Sequence, residues 1–126
     1  MILFDTDVTI DILRKHPPAL AWLATVRVPV CLPGLVAFEL CQGCQNKQDA
    51  QLLQQQLASF AILWPSEAAS NQALYTFITA RLSHGTGIID ALIAATAITH
   101  NLPLHTFNQK HFAAYPRLKT IQPYTR

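Results

Sequence analysis

Three acidic side chains lie in or beside apolar segments of the sequence, where exposure to solvent does not readily account for a charged carboxylate. Asp5 ends the short apolar run Met1–Phe4, Glu39 falls on the apolar stripe of a predicted helix, and Asp90 lies in the apolar segment Ile88–Ala95. An ionised carboxylate in apolar surroundings is costly unless it has a cation, a hydrogen-bond network or a crevice. Asp5, Glu39 and Asp90 are therefore candidates for one common site.

Each of these positions also has a structural interpretation, which the sequence leaves open. Glu39 fits a hydrogen-bonded buried side chain, or a helix that turns it outward. Asp90 fits the first turn of a helix, where a carboxylate caps the backbone or complements the dipole. Thr6 or Asp7 fits the cap of a helix that follows Asp5.

The D-x-D pair Asp5 and Asp7 favours a cation over capping alone. Two carboxylates this close repel, and each raises the pKa of the other unless a cation lies between them. Oxygen ligands without His or Cys suit Mg²⁺ or Mn²⁺ rather than zinc. The five histidines show no H-x₃-H spacing, and each fits a surface or core role.

The remaining acids and the cysteines are predicted to be structural. Asp49 and Glu67 lie near helix starts, and Asp11 is expected to be exposed or to form one wall of the crevice. The odd count of cysteines argues against a disulfide framework, and a zinc site would need further ligands. We expect buried or half-buried thiols at all three positions, Cys31, Cys41 and Cys44.

Short apolar segments alternate with helical periodicity along the whole chain. Strands are predicted at Met1–Phe4, Val28–Leu32, Phe60–Leu63, Leu102–Thr106 and Leu118–Ile121. Helices are predicted from about Val8 to His16, Ala19–Thr25, Pro33–Gly43, Asp49–Ser59 (with Leu52, Leu53 and Leu57 on one side), Ser66–Arg81 and Ile88–His100, with a loop at Ser83–Gly87. This order predicts an α/β fold with a mostly parallel sheet covered on both faces. The crevice of such a sheet lies beyond the carboxyl ends of its strands, which is where Asp5 and Asn108 are expected.

Composition limits the remaining possibilities. A chain of 126 residues is expected to form one domain over 1–126, and 51% hydrophobic with 13% charged residues indicates a well-buried sheet or a large apolar interface. No apolar run is long enough to span a bilayer, and the N-terminus lacks a cationic region before its apolar segment, so we expect a cytoplasmic protein without a signal peptide. A net charge of +2 does not by itself indicate nucleic-acid binding, so any RNA contact needs a local patch created by folding.

The motifs together resemble the PIN domain family, and most of all the VapC-type toxin ribonucleases of toxin–antitoxin pairs. The resemblance runs from about residue 2 to residue 123, in order and with ordinary spacing. It rests on four segments: ILFDTDVTID around Asp5, FEL around Glu39 with Gly43 four residues on, DALIAATA from Asp90, and TFNQKHF from Thr106.

This resemblance implies a three-layer α/β/α sandwich with a central sheet of about five strands. It also implies a Mg²⁺- or Mn²⁺-dependent endoribonuclease that hydrolyses RNA phosphodiester bonds with a metal-activated water. By position, Asp5, Glu39 and Asp90 match the metal-binding acids, and Asp7, Thr6 and Thr106 are supporting residues. Asn108 completes the catalytic set, but many relatives carry Asp there, so one firmly held metal is expected rather than two. The expected partners are a small VapB-type antitoxin and a second copy of the chain.

Parts of the sequence also fit two other functions. Asn108 favours a non-catalytic PIN-type module that binds RNA or protein. The segment Asp5–Thr9 also spells the D-x-D-x-T motif of haloacid-dehalogenase-type phosphatases, with Asp5 as nucleophile and Asp7 as acid/base. That enzyme class needs a later acidic pair, whereas the last acid of this chain, Asp90, has no acidic neighbour.

Overall fold

The structure, a computed structural model, describes residues 1–126. Five strands are present: β1 (Ile2–Phe4), β2 (Val30–Pro33), β3 (Ala61–Leu63), β4 (Leu104–His105) and β5 (Thr120–Ile121). Six α-helices lie between them: α1 (Thr6–Leu13), α2 (Pro17–Leu23), α3 (Gly34–Gln42), α4 (Lys47–Leu57), α5 (Glu67–His84) and α6 (Ile88–His100). A 3₁₀ turn, Gln109–Phe112, follows β4.

The five strands form one sheet in the order β3-β2-β1-β4-β5, and every neighbouring pair is parallel. The prediction of a mostly parallel, five-stranded α/β/α fold is confirmed. Antiparallel pairing is absent because the connection after each strand, which contains helices or a turn, brings the chain back to the end of the sheet at which that strand began.

Side chains of successive strand residues point to opposite faces and so build two cores. Leu3 and Cys31 pack in the core that contains α5 and α6, whereas their neighbours Phe4 and Leu32 pack in the core that contains α1 and α2. This alternation with a period of two places one helical layer on each face of the sheet.

The observed strands are shorter than predicted because pairing limits them. β2 begins at Val30, the partner of Ile2, and Val28 lies before the ladder. β4 begins after Pro103, since the preceding Leu102 uses its N–H to close α6 on the carbonyl oxygen of Ala97.

The boundaries of α1 to α5 differ from the prediction by one to three residues, and three of these differences have a local cause. α2 begins at Pro17, because proline is well suited to the first helical turn. Pro33 ends β2, and Gly34 is the first residue of α3. α5 continues to His84, past the predicted end at Arg81, and stops at Gly85, whose φ of 65° is left-handed.

Two side-chain predictions are wrong. Leu52 was placed on the buried side of α4 but is 55% exposed, whereas Leu53 is buried. Cys41 is exposed instead of buried, while Cys31 is buried and Cys44 is half-buried, and all three are free thiols. Cys41 is in the last turn of α3, which leaves the core at that end. None of the helices combines the length and apolar character needed to cross a bilayer.

Candidate active site

The site lies where the strand order reverses at the centre of the sheet. The chain places β2 and β3 on one side of β1, and β4 and β5 on the other. Parallel sheets form their ligand crevices at such a switch point, beyond the carboxyl ends of the strands. Asp5 directly follows β1 and Thr106 directly follows β4, so the fold brings both side chains to this point.

Asp5 is the most buried acid of the site, with 4% of its surface exposed. It caps α1: its Oδ1 accepts a hydrogen bond from the backbone N–H of Thr6 at 2.7 Å. Its Oδ2 accepts a hydrogen bond from the hydroxyl of Thr106, also at 2.7 Å. Both oxygens are therefore satisfied within the protein, and the carboxyl group is fixed to two neighbouring strands.

The electrostatic surroundings of Asp5 disfavour its charge. Burial raises the pKa of Asp5 from an ordinary 3.8 to about 7, and the negative charges of Asp7 and, more weakly, Asp90 add to this effect. The hydrogen bonds from Thr106 and Thr6 lower the pKa but do not compensate. The strongest charges acting on Asp5 are thus negative, which is the situation that a bound cation would relieve.

Asp7 joins the start of α1 to the loop after β4. Its Oδ1 accepts from the N–H of Val8 at 2.7 Å, and its Oδ2 accepts from the N–H of Phe107 at 2.9 Å. Burial raises the pKa of Asp7, and the hydrogen bonds from Phe107 and Val8 and the charge of Arg126 only partly oppose this. Asp7 therefore supports the site by fixing backbone on both sides of Asp5.

Glu39 reaches the site from α3. Its Oε1 accepts a hydrogen bond from the hydroxyl of Thr6 at 2.6 Å, which connects α3 to the start of α1. The half-buried side chain also lines a cavity of about 310 Å³ between α1, α3 and α4. Among the other residues of this cavity are Ile10, Leu13, Arg14, Leu40, Leu52 and Leu53.

Asp90 lies in the first turn of α6 and keeps 26% of its side chain exposed. Its Oδ2 accepts from the N–H of Gly87 at 3.1 Å, so the capping role considered for it is present. The expectation that α6 leaves no solvated face for this charge is wrong at this end, because Ile88 is 67% exposed. Burial of the helix begins at Ala91.

The loop after β4 supplies two further polar groups. Asn108 is exposed, and its N–H donates to the hydroxyl oxygen of Thr106 at 3.0 Å. The ring of His111 lies with its Nδ1 3.8 Å from Oδ2 of Asp90. No local sequence pattern places His111 here, because its position depends on how the 3₁₀ turn packs against α6.

The structure brings Asp5, Asp7 and Asp90 close enough for their charges to interact, and it connects Glu39 to them through Thr6. As the side chains stand, no three His, Cys, Asp or Glu groups are arranged to hold a metal ion. The hydrogen bonds of Glu39 to Thr6 and of Asp90 to Gly87 account for this arrangement. By donor chemistry the set still fits Mg²⁺ or Mn²⁺, since it offers carboxylate oxygens around a carboxyl group surrounded by negative charge.

The C-terminal segment forms a border of the site that the sequence did not reveal. The hydroxyl of Tyr124 and the Nε of Arg126 both donate to Oδ2 of Asp11, at 2.7 Å and 3.0 Å. The guanidinium of Arg126 lies 4.3 Å from the ring centre of Phe107. The two contacts with Asp11 span more than a hundred positions, so no local pattern indicates them. Asp11 is accordingly half-buried, so the prediction that it is exposed does not hold, and its place as a wall of the crevice stays a prediction.

The family model of the PIN domain matches residues 2–118 of this chain. Two curated relatives from Mycobacterium tuberculosis are similar over most of their length. Ribonuclease VapC10 is 34% identical over 122 residues, covering 94% of this chain and 91% of the relative. Ribonuclease VapC19 is 32% identical over 125 residues, covering 94% and 98%.

Solved structures agree with this match. A toxin–antitoxin complex from Klebsiella pneumoniae contains a chain that is 26% identical, with a TM-score of 0.77 and full coverage of both chains. FitAcB from Neisseria gonorrhoeae is 28% identical, with a TM-score of 0.68 and 98% coverage of each chain. The match to a different family also removes the haloacid-dehalogenase alternative.

Proposed function

This chain belongs to the PIN domain family, and from that premise we propose that it is a VapC-type toxin that cleaves RNA with the help of Mg²⁺ or Mn²⁺. The observation that carries the proposal is the buried carboxyl group of Asp5, whose pKa is raised to about 7 by burial and by negative neighbours. A group so placed favours binding of a divalent cation from solution. The relatives named ribonucleases support RNA as the substrate.

In this proposal Asp5 and Asp90 hold the cation and Glu39 completes the set. Glu39 would exchange its hydrogen bond with Thr6 for that role. When bound, the cation makes water more acidic near neutral pH and offsets negative charge on the phosphate. Thr106 orients Asp5 through its hydroxyl, and Asp7 fixes the flanking backbone.

Asn108 favours a second candidate function, that of a PIN-type module that binds RNA without cutting it. Its neutral amide lies beside the site, where an acid would strengthen the binding of a second cation. Three acids nevertheless lie at the site, and one of them, Asp5, is buried, which is costly for a module that needs no metal. We therefore propose cleavage with one firmly held cation, in a single domain over 1–126; a cytoplasmic location stays a prediction.

Cleavage of structured RNA with and without Mn²⁺ tests the proposal. The chain should cut only when Mn²⁺ is present, and Asp90→Asn should reduce the rate at least about a hundredfold, as expected when a charged ligand is lost. Glu67→Gln is the matched control, because it also neutralises an acid in the first turn of a helix. Equal cleavage by Asp90→Asn and Glu67→Gln would contradict the site. Binding of Mn²⁺ with no cleavage by the unsubstituted chain would favour the binding module.

We also propose that a small antitoxin covers the cavity beside Glu39. Of the two similar solved structures, the one from Klebsiella pneumoniae is a toxin–antitoxin complex. Leucine side chains around the carboxylate of Glu39 and the guanidinium of Arg14 suit an amphipathic segment of a partner. Co-expression with the antitoxin should suppress toxicity, and Leu52→Glu should weaken the complex. Persistent toxicity despite a demonstrated complex would contradict this assignment.

A second copy of the chain has a separate surface to bind. Leu74, Ile78 and Leu82 share one face of α5 and are 53%, 60% and 84% exposed. Tyr75, which is 72% exposed, extends this α5 face. An apolar face of this kind marks an interaction surface. We propose that it is the homodimer interface.

A further inference from the structure

A polar pocket of about 400 Å³ borders the acids on the side of His111. It opens between the turn joining α5 to α6 and the 3₁₀ turn after β4, and none of its lining residues is hydrophobic. The lining residues are Ser83, His84, Gly85, Lys110 and His111. This pocket has no role in the function proposed so far.

The pocket is directly connected to the active site. His111 lines it and also lies 3.8 Å from Asp90, measured from Nδ1 to Oδ2. Gly85 lines it from the same turn in which the N–H of Gly87 contacts Asp90. A ligand in the pocket would therefore be a close neighbour of a group bound at the acids.

Its donors are free to bind a ligand. Lys110 is exposed and takes part in neither of the two salt bridges of the chain. His84 uses its Nδ1 with the hydroxyl of Ser83 at 2.7 Å, which leaves Nε2 without a partner in the chain. No carboxylate lines the pocket. The lining thus offers N–H groups and one fixed positive charge.

This chemistry matches a phosphodiester, which is negatively charged and only accepts hydrogen bonds. The acids repel phosphates, so RNA needs a cationic contact nearby, and the low net charge of +2 does not supply one over the whole surface. The positions of Arg81 and His84 in the last turn of α5 also complement the helix dipole. That explanation does not extend to Lys110 and His111, which belong to the 3₁₀ turn.

We propose that this pocket is a subsite for an RNA backbone phosphate next to the scissile one, bound by Lys110 and His84. The proposal rests on the ribonuclease function given above. It adds the place where the substrate backbone is held and the direction in which it leaves the acids, towards the turn between α5 and α6.

Binding of a short fluorescein-labelled single-stranded RNA, followed by anisotropy in the full chain carrying Asp5→Asn, tests the subsite without cleavage. Lys110→Ala should weaken binding about 3- to 10-fold, and the slope of log Kd against log salt should fall by about one. His84→Ala in addition should weaken binding further. Lys119→Ala is the matched control, because it removes the same charge just before β5, at the amino ends of the strands and therefore opposite to the end of the sheet where the site lies, and its effect should stay within about twofold.

Three results would overturn the subsite, and they are distinguishable. If RNA binds but Lys110→Ala and His84→Ala match Lys119→Ala, the subsite alone fails. If a poly-glutamate peptide competes as well as RNA of equal charge, the pocket belongs to an acidic protein segment. If the chain neither binds nor cleaves RNA, the proposed function fails together with the subsite. The side chains of Lys110, His84 and Lys119 are exposed, so their alanine variants should unfold thermally at the same temperature as the chain that carries Asp5→Asn alone.

Discussion

The carboxyl group of Asp5 should make the metal-free protein less stable as pH rises. Its folded pKa of about 7 lies above the ordinary 3.8, so its favourable contribution is present below pH 3.8 and is lost as pH rises to about 7. Asp5→Asn imitates the neutral form. Without divalent cations, we expect this variant to be more stable than the parent by about 1–3 kcal/mol at pH 8 and nearly equal to it at pH 4.

Thermal or urea unfolding in EDTA at both pH values measures this difference directly. Comparing variant and parent at each pH removes the contribution of groups that titrate the other way, such as Asp11. A stability difference that is the same at pH 4 and pH 8 would show that Asp5 does not have the raised pKa.

At the residue scale, the sequence predicts which acids belong to the site better than it predicts the groups that donate hydrogen bonds to them. Asp5 could be located because it follows a short buried strand, and Asp90 because it interrupts an apolar segment. The hydroxyl of Thr106 bonds Asp5 from 101 positions away, and that of Thr6 bonds Glu39 from 33 positions away. Side-chain pairings across the fold depend on strand order and helix rotation, which no local spacing encodes.

At the element scale, the C-terminal segment Tyr124–Arg126 is expected to hold α1 against the loop after β4. Burial acts to raise the pKa of Asp11, but hydrogen bonds from Tyr124 and Arg126 outweigh it and leave the pKa below 3.8. This stabilisation is present above pH 3.8 and is lost as pH falls through the folded pKa of Asp11. Tyr124→Phe should therefore cost about 1 kcal/mol at pH 7 and less under acid conditions.

Urea unfolding at pH 7 and near pH 3 measures this change. The control is Tyr75→Phe, because its hydroxyl lies on the exposed α5 face and makes no hydrogen bond to an acid. An equal cost for both tyrosine variants, or a cost of Tyr124→Phe that grows in acid, would contradict the proposed role of the segment.

The observed ends of the helices and strands show which local sequence signals are sufficient to predict an element's length. Ile88–His100 is apolar nearly all round, which predicts α6 over its whole length, and Asn101 has the left-handed conformation that ends the helix. β4 was predicted over five residues but has two. Its length depends on the neighbours β1 and β5, and the apolar residues around it serve the core without joining the ladder.

At the scale of the whole molecule, the α5 face predicts how copies of the chain assemble. Ile78→Glu places a charge at the centre of this face, where burial against a second copy would be costly. We expect the parent to elute as a dimer and Ile78→Glu as a monomer in size exclusion with light scattering, with the Mn²⁺-binding site intact. A dimeric Ile78→Glu, or a monomeric parent, would show that this face is not the interface.

Some features of the whole molecule can be predicted from the sequence pattern, whereas others exist only once the chain has folded. The parallel α/β/α architecture follows from the order of apolar segments. The low charged fraction predicts a well-buried sheet or a large apolar interface, and the exposed side chains of the α5 face are compatible with the second. The cationic pocket at Lys110 did not follow from the scattered basic residues, because two turns far apart in sequence must first meet.

Calorimetric titration of Mn²⁺ into the full chain tests the central claim, that Asp5 and Asp90 hold the divalent cation that cleavage needs. We expect one Mn²⁺ per chain. We also expect that either Asp5→Asn or Asp90→Asn weakens Mn²⁺ binding at least about tenfold while Glu67→Gln does not. If both variants bind Mn²⁺ with the affinity of the parent, the assignment of Asp5 and Asp90 as ligands is wrong, since the cation would then be held elsewhere or not at all.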